Sequence, residues 1–300
     1  MRVLVTGGAG FIGSHSVEHL LANGDSVTVL DNFTSGKHAY LPQHAALTVI
    51  EGDIRDAAVV EAAMRNATHV LHLAAQVSVR ASVEDPAHSA SHNVAGFINV
   101  ANCARRCAGT RLVYASSAAV YGSPKTLPLD ERSNCAPTSP YGLEKLIDDQ
   151  YAQLFEALFG LNVLGLRYFN IYGPRQDPRS PYAGVISRFV ARIVAAEPLS
   201  VFGDGQQTRD FVHVKDVARA NLAALQSAAR GIINVGTGSS VSLLELIGLI
   251  GRCRGRVPEV RFEPPLSGDI RHSSMRPDRM REALGFVASI PLAEGLKTLL

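Results

Sequence analysis

Tyr141 and Lys145 stand four residues apart, and Ser116-Ser117 lie 25 residues before them. At i and i+4 on a helix the phenol and the ammonium share one face, and Pro137 and Pro140 mark where that helix starts. A free tyrosine has a pKa near ~10 and is a poor base at neutral pH, but a neighbouring ammonium favours its phenolate. Ser116-Ser117 follow an apolar run, 110–115, which brings two hydroxyls to the carboxyl edge of a sheet, where α/β folds place ligands. Tyr141, Lys145 and Ser117 are thus candidates for moving a proton to and from a substrate hydroxyl.

A second group lies at the start of the chain. Gly7-Gly8-Ala9-Gly10-Phe11-Ile12-Gly13 follows the apolar run Val3-Leu4-Val5. Gly8, Gly10 and Gly13 fit G-x-G-x-x-G, and Gly7, Gly10 and Gly13 fit the related G-x-x-G-x-x-G. Such a turn needs glycine for a tight bend, for close approach of backbone to a pyrophosphate, and for close packing of helix on strand. The pyrophosphate rests on free amides at the positive end of the helix. Asp31, 18 residues beyond Gly13, closes the next apolar run. A carboxylate there accepts ribose hydroxyls and repels a 2′-phosphate, which favours NAD over NADP. Asp53-Ile54 follow the third run and are placed to meet the adenine edge. The positive nicotinamide would add to Lys145 in acidifying Tyr141, and Lys145 is placed to reach the nicotinamide ribose.

Both groups need a scaffold, and the chain supplies one. Apolar, β-branched runs at 2–6, 26–30, 46–50, 69–73, 110–115 and 162–167 alternate with Ala-rich helical segments at 12–23, 57–65, 87–107 and 141–159. This predicts an α/β fold, a Rossmann-type doubly wound parallel sheet built from right-handed βαβ crossovers. Beyond about 170 the pattern loosens. Gly173-Pro174, Pro178, Pro181 and Gly203-Asp204-Gly205 mark loops, with helices expected at 183–196, 214–228, 242–253 and 277–284. The expected division is an NAD-binding domain over 1–168 and a smaller α/β substrate-binding lobe over 169–300, with 231–236 rejoining the large sheet.

Composition excludes other classes. With 46% apolar and 19% charged residues, the 300-residue chain reads as an ordinary globular protein. A net charge of +2 draws it to neither nucleic acid nor anionic lipid. Eight arginines crowd 252–281, but Glu259, Glu263, Asp269 and Asp278 are interspersed, which predicts a solvated face. No run approaches the ~18 apolar residues of a membrane span, and 2–6 reads as a buried strand rather than part of a signal peptide. The expected location is the cytoplasm. Cys103, Cys107, Cys135 and Cys253 lack CxxC spacing and read as small buried thiols; no metal site is expected.

In order along the chain stand GGAGFIGSH, DNFTSGK, GDI (52–54), HLAAQ (72–76), SSAAVYG (116–122), YGLEK (141–145), RYFNIYGPRQDP (167–178), TRDFVHVKDV (208–217), NVGTG (234–238) and GDIRHS (268–273). Over almost its whole length the chain resembles the extended short-chain dehydrogenase/reductase family, in particular its nucleotide-sugar 4-epimerases. The resemblance implies that Tyr141 is catalytic base and acid, Lys145 its electrostatic partner, and Ser117 a hydroxyl bridging Tyr141 and the sugar 4-oxygen. It implies NAD contacts at Gly7, Gly10, Phe11, Ile12, Gly13, Asp31, Asn32, Ser35, Gly36, Asp53, Ile54, Leu73, Ala74, Ala75, Asn93, Ser116, Tyr141, Lys145 and Tyr168. For a UDP-sugar it implies Asn170 and Arg209 at the diphosphate, Phe202 beside the uracil, and Arg271 as a further cation. Helices 87–107 and 141–159 match those that pair two copies into a homodimer.

Relatives that dehydrate or decarboxylate the sugar carry an acidic residue after the serine. Here Ser117 is followed by Ala118-Ala119, so the resemblance implies epimerisation at carbon 4 through a 4-keto intermediate. Ser273 matches one wall of the sugar pocket. A tyrosine there excludes an N-acetyl group at carbon 2, whereas serine implies that UDP-GlcNAc and UDP-GalNAc enter beside UDP-Glc and UDP-Gal. Two positions depart from the family. Leu266 stands where an arginine often touches the diphosphate, and Met275-Arg276 where Ala-Asp is usual, so either the grip falls to Arg209 and Arg271 or the nucleotide sits differently. A UDP-uronic acid 4-epimerase and a non-catalytic NAD-binding regulator remain the alternatives.

Overall fold

The chain is described by a computed structural model over residues 1–177, 184–265 and 270–300. The six apolar runs become strands β1 Arg2–Thr6, β2 Ser26–Asp31, β3 Leu47–Glu51, β4 His69–His72, β5 Arg111–Ser117 and β6 Asn162–Tyr168. Six further strands follow: β7 Asn170–Tyr172, β8 Leu199–Phe202, β9 Thr208–His213, β10 Gly231–Val235, β11 Ser240–Ser242 and β12 Val260–Glu263. Seven of the twelve form one parallel sheet in the order β10-β6-β5-β4-β1-β2-β3. The winding reverses between β1 and β4, and ligands of such sheets bind at the carboxyl ends there. The remaining strands make two small sheets, β11-β9-β7 and β12-β8.

The helices are α1 Phe11–Ala22, α2 Ala57–Met64, α3 Val79–Glu84, α4 Pro86–Ala90, α5 Gly96–Arg106, α6 Pro140–Phe159, α7 Val185–Val194, α8 Val214–Gln226, α9 Leu243–Arg254, α10 Asp278–Leu284 and α11 Leu292–Lys297. Strand side chains alternate between two buried faces. Val3, Val5, Val29 and Val113 pack with Val17 and Leu20 of α1 and Val217 of α8. On the other face Leu4, Leu30, Val70, Leu112 and Tyr114 pack with Phe97 and Val100 of α5 and Phe155 of α6. Each fully buried aliphatic contributes ~1.5–3 kcal/mol, so these two layers fix where the strand ends stand.

The helix expected at 87–107 is assembled from α4, one π turn over Ser91–Ala95, and α5. The short helix α3 ahead of it, α11, and the strands β7, β8, β9, β11 and β12 lie outside the sequence expectations. The strands are only three to six residues long and take their partners from distant segments, so no periodic run announces them. β10 does rejoin the large sheet, pairing parallel with β6. The loop markers Pro178 and Pro181 lie outside the described residues.

Candidate active site

The glycine turn is packed too tightly for any side chain. A Cβ on Gly13 would fall 2.1 Å from the Gly7 carbonyl oxygen, and one on Gly7, whose φ is +68°, would fall 2.7 Å from the Ala74 nitrogen. The turn is closed by Gly7 N–H donating to the Leu30 carbonyl at 2.8 Å. Gly10 is extended and caps α1 with its N–H on the Gly7 carbonyl, and no side chain caps the helix, which leaves the first-turn amides for a pyrophosphate. Asp31 ends β2 beside it. Its Oδ2 accepts from Ala9 N–H and its Oδ1 from Phe33 N–H, both at 2.9 Å. Each oxygen keeps a lone pair for a ribose hydroxyl. A Cβ on Gly36 would lie 2.8 Å from Asp31 Oδ1, so backbone closes over that carboxylate. A closed glycine turn and an anchored, buried carboxylate fit NAD.

Several expected cofactor positions have side chains already engaged by the protein. Ile54 is buried against Gly96. Tyr168 is buried, and its hydroxyl donates to Asn221 Oδ1 at 2.6 Å under α1, with burial pushing the phenol up. Asp53 is gripped by Arg55 at 2.9 Å, and that guanidinium holds its carboxyl well below the usual carboxylate range. Asn32 Nδ2 donates to the same carboxylate. Leu73, Ala74 and Ala75 follow β4, where Leu73 N–H donates to the Thr6 carbonyl and Ala74 N–H to Thr6 Oγ1. Asn93 is wholly buried and spends its amide on the Gln76 backbone at 2.8 and 2.9 Å and on Glu144 at 2.6 Å. It shapes the cofactor edge from behind rather than presenting a free side chain.

α6 carries both Tyr141 and Lys145. Ser139 caps it by accepting from Gly142 N–H at 3.1 Å, Pro140 opens it, and Gly160, in the left-handed region at φ +68°, closes it. Tyr141 N–H donates to Ser82 Oγ of α3 at 3.1 Å, which fixes the first turn. Lys145 is buried one turn on, and its Nζ donates to Asp148 Oδ2 at 3.1 Å. Burial pulls the lysine down, but Asp148 and Tyr141 outweigh it and hold the ammonium above its ordinary range. Burial pushes the Asp148 carboxyl up to about 7, against the pull of Lys145. Burial, with Lys145 adding, drives His72 down to about 3, so that imidazole is neutral.

At the end of β5, Ser117 Oγ accepts from Ala119 N–H at 3.1 Å and Ser116 is buried. Beneath them runs a buried chain of contacts: Tyr114 OH and Arg167 Nε donate to Asp149, Arg167 Nη1 donates to Tyr121 OH, and Tyr121 OH donates to Asn234 Oδ1. It ties β5, β6 and β10 to α6, holding the serines and Tyr141 on one rigid frame.

A cavity of about 240 Å³ lies in the smaller lobe. Asn170, Phe202 and Arg209 line it together with Arg188 of α7 and Gln207. Among the described residues its wall holds two guanidinium groups and no carboxylate, which favours an anion. Asn170 Nδ2 donates to the Asp210 carbonyl at 3.2 Å. Arg188, Gln207 and the loop residue Gln176 were not expected; an arginine on a helix carries no sequence mark of the cavity it faces. Arg271, expected at the diphosphate, instead makes a two-pronged ion pair with Asp204 at 2.6 and 2.7 Å and is half exposed. Ser273 is buried, its N–H on the Thr208 carbonyl at 3.1 Å, on the segment that runs from β9 to Leu129. Leu266 and Gly268-Asp269 lie outside the described residues. Helix α1 is tied to the loop after β7 where His15 meets the Pro174 carbonyl at 3.0 Å and Arg175 pairs with Glu18. Among the described residues no cluster of side chains fits a metal ion, and no helix is long and apolar enough to cross a membrane.

Comparison with known proteins agrees with this arrangement. Residues 3–236 match the sequence model of the NAD dependent epimerase/dehydratase family. A protein of Methanocaldococcus jannaschii named putative UDP-glucose 4-epimerase is 42% identical over 297 residues, covering 98% of this chain and 96% of its own. The structure of a UDP-N-acetylglucosamine 4-epimerase from Methanobrevibacter ruminantium, in complex with UDP-N-acetylmuramic acid, superposes with a TM-score of 0.96 at 36% identity, covering 99% and 96% of the two chains. That of Thermus thermophilus UDP-glucose 4-epimerase with NAD superposes with a TM-score of 0.91 at 39% identity over 100% and 97%.

Proposed function

The chain belongs to the NAD dependent epimerase/dehydratase family, and on that premise we propose that it inverts carbon 4 of a UDP-hexose through a 4-keto intermediate. The observation that carries the reading is the common sheet edge: Ser117 ends β5, the glycine turn follows β1, and Lys145 of α6 faces His72 at the end of β4, which bonds Thr6 at the end of β1, while an anion-favouring cavity lies in the smaller lobe. Gly7, Gly10, Gly13 and Asp31 hold NAD, with residues 1–168 and β10 as its domain and 169–300 as the nucleotide-sugar lobe, α8 excepted because it covers the large sheet. Bound NAD supplies an acceptor, and then a donor, for the hydride at carbon 4.

Tyr141 takes the proton of the sugar 4-hydroxyl, Ser117 Oγ bridging the two oxygens, while the Lys145 ammonium stabilises the phenolate. Arg209 and Asn170 hold the diphosphate and Phe202 lies against the uracil. The flat 4-keto sugar turns about that tether, and Tyr141 returns the proton to the oxygen on the other face. Holding the intermediate in one closed site keeps the return step fast. Ser273 leaves space at carbon 2, so N-acetylated UDP-hexoses are substrates beside UDP-Glc and UDP-Gal; the M. ruminantium neighbour, named for UDP-N-acetylglucosamine, supports this.

The protein is read as a homodimer. Leu143, Tyr151, Leu154 and Leu158 recur at helical spacing along α6, all exposed, with Leu158 at 68%, and a second copy of the same helix would cover them. A cytoplasmic location accords with four unpaired cysteines and the need for NAD.

The test is to incubate purified protein with single UDP-sugars, UDP-glucuronic acid among them, without added NAD, and to resolve the products by chromatography. Interconversion of neutral UDP-hexoses is expected, and Tyr141→Phe should lose most turnover while keeping its NAD. Conversion of UDP-glucuronic acid alone, or of nothing, overturns the proposal.

A further inference from the structure

Lys145 and Asp148 form an ion pair whose two side chains are at most 4% exposed. One carboxylate oxygen of Asp148, Oδ2, accepts from the ammonium at 3.1 Å, and the other, Oδ1, is buried with no hydrogen-bond partner among the described residues. A bare buried carboxylate oxygen costs stability, and an apolar side chain at this position would pack α6 at less cost. The pairing therefore calls for a reason other than holding the helix in place.

The geometry points to Asp148 as a positioning residue for the proton transfer: it holds the Lys145 ammonium and, by gaining or losing its own proton, sets how strongly that ammonium favours phenolate at Tyr141. This rests on the role proposed above for Tyr141. When Asp148 is ionised it offsets the lysine charge, and less of that charge acts on the phenol. Once Asp148 is protonated the ammonium acts alone. Burial lifts the Asp148 carboxyl into the neutral range, so the change falls where a base has to work.

The groups facing Asp148 are few. On α6 they are Lys145, Asp149 and Glu144. From β5 comes Tyr114, from β6 Arg167, both already bound to Asp149, and from β4 the neutral His72, which faces Lys145. α4 and the π turn contribute only the uncharged Ser89 and Asn93, both on Glu144. Among the described residues, no second cation therefore stands ready to replace Lys145 as partner of Asp148. The shared lysine thus couples the proton on Asp148 to the charge that acts on Tyr141.

The test uses NAD-loaded protein and reads Tyr141 directly, as tyrosinate ultraviolet absorbance against pH, with Tyr141→Phe as the blank. In Asp148→Asn the Tyr141 midpoint should fall by on the order of one pH unit. The broad wild-type curve should narrow to a single-site titration, and the acid limb of kcat/KM should move the same way. An unmoved midpoint with intact epimerisation overturns this inference alone, whereas absence of epimerisation in the wild type overturns the function and leaves the tyrosinate reading to be judged by itself. Should Asp148→Asn and Asp148→Ser both fail to fold, the wild-type curve decides: single-site titration of Tyr141 rules Asp148 out.

Discussion

Asn93 Nδ2 stands 2.6 Å from Glu144 Oε2, and this contact links the π turn behind the cofactor edge to the helix that carries Tyr141 and Lys145. The same amide holds both polar groups of the Gln76 backbone. A π turn displaces one residue from the regular helical path, and here that residue's side chain gains reach to two elements at once. Three polar groups are held by a single side chain, with Ser89 sharing Glu144.

Asn93→Ala should therefore destabilise the protein by about 2 kcal/mol, since it strands the Gln76 backbone groups and removes a partner from buried Glu144. Urea unfolding measures the loss. The loop 73–76 borders Gly7, so the amount of NAD that stays with the purified protein should fall as well. Full NAD content at lowered stability would show that the clamp serves the fold alone.

His72 sets a limit on acid stability. Its ring is buried, with Nδ1 2.7 Å from Thr6 Oγ1, and burial drives its pKa from 6.5 to about 3. Because the folded value is depressed, the unfolded chain takes up a proton first as pH falls. The stability contributed by the neutral ring is complete above about 6.5 and is lost as pH drops towards 3, at about 1.4 kcal/mol per unit. His213, held at about 4 mainly by burial, acts in the same direction. Tm should fall steeply between pH 6.5 and 4, and His72→Gln should flatten that slope. An equal slope in the variant would assign the acid sensitivity to other groups.

The large sheet was legible in the sequence because most of its strands, the edge strand β3 excepted, are buried on both faces and read as apolar runs, Val3-Leu4-Val5 being the clearest. The smaller lobe was not. β7 and β11 have three residues each, and β8 takes its partner from β12, some 60 residues away, so their order arises from tertiary pairing. The helix α3 spans Val79–Glu84, too short to show an apolar face, yet its Ser82 fixes the first turn of α6. Tyr141, Lys145 and the glycine turn were legible from type and spacing. Asp148 was in plain view at i+3 from Lys145, but only burial distinguishes it from a solvated carboxylate. Arg271 was read as free to grip an anion, since sequence does not reveal that Asp204 would occupy it.

The stripe on α6 offers a test of assembly. Leu154 is 52% and Leu158 68% exposed, and burying both against a second copy would stabilise a dimer by several kcal/mol at about 25 cal/mol per Å². Neither touches the candidate site. Replacing both by glutamate should yield a monomer in sedimentation while the secondary structure by circular dichroism stays the same. A wild-type monomer at micromolar concentration would remove the dimer from the account.

Ser273 is proposed to set how much of the sugar fits. Its side chain is buried, on the segment between β9 and the loop near Leu129, and this segment is held at both ends: Ser273 N–H on the Thr208 carbonyl and Arg276 N–H on the Leu129 carbonyl. With both ends fixed the backbone cannot yield, so a larger side chain must take its space from whatever lies beside it. Ser273→Tyr should then cut kcat/KM for UDP-GlcNAc at least about tenfold, because a steric clash with the acetamido group is not recovered elsewhere, and change that for UDP-Glc far less. The ratio of the two is the quantity to follow, since a general loss of packing would lower both together. If both pairs respond alike while NAD content and Tm are unchanged, Ser273 lies away from carbon 2, and substrate scope must be set by another part of the pocket wall.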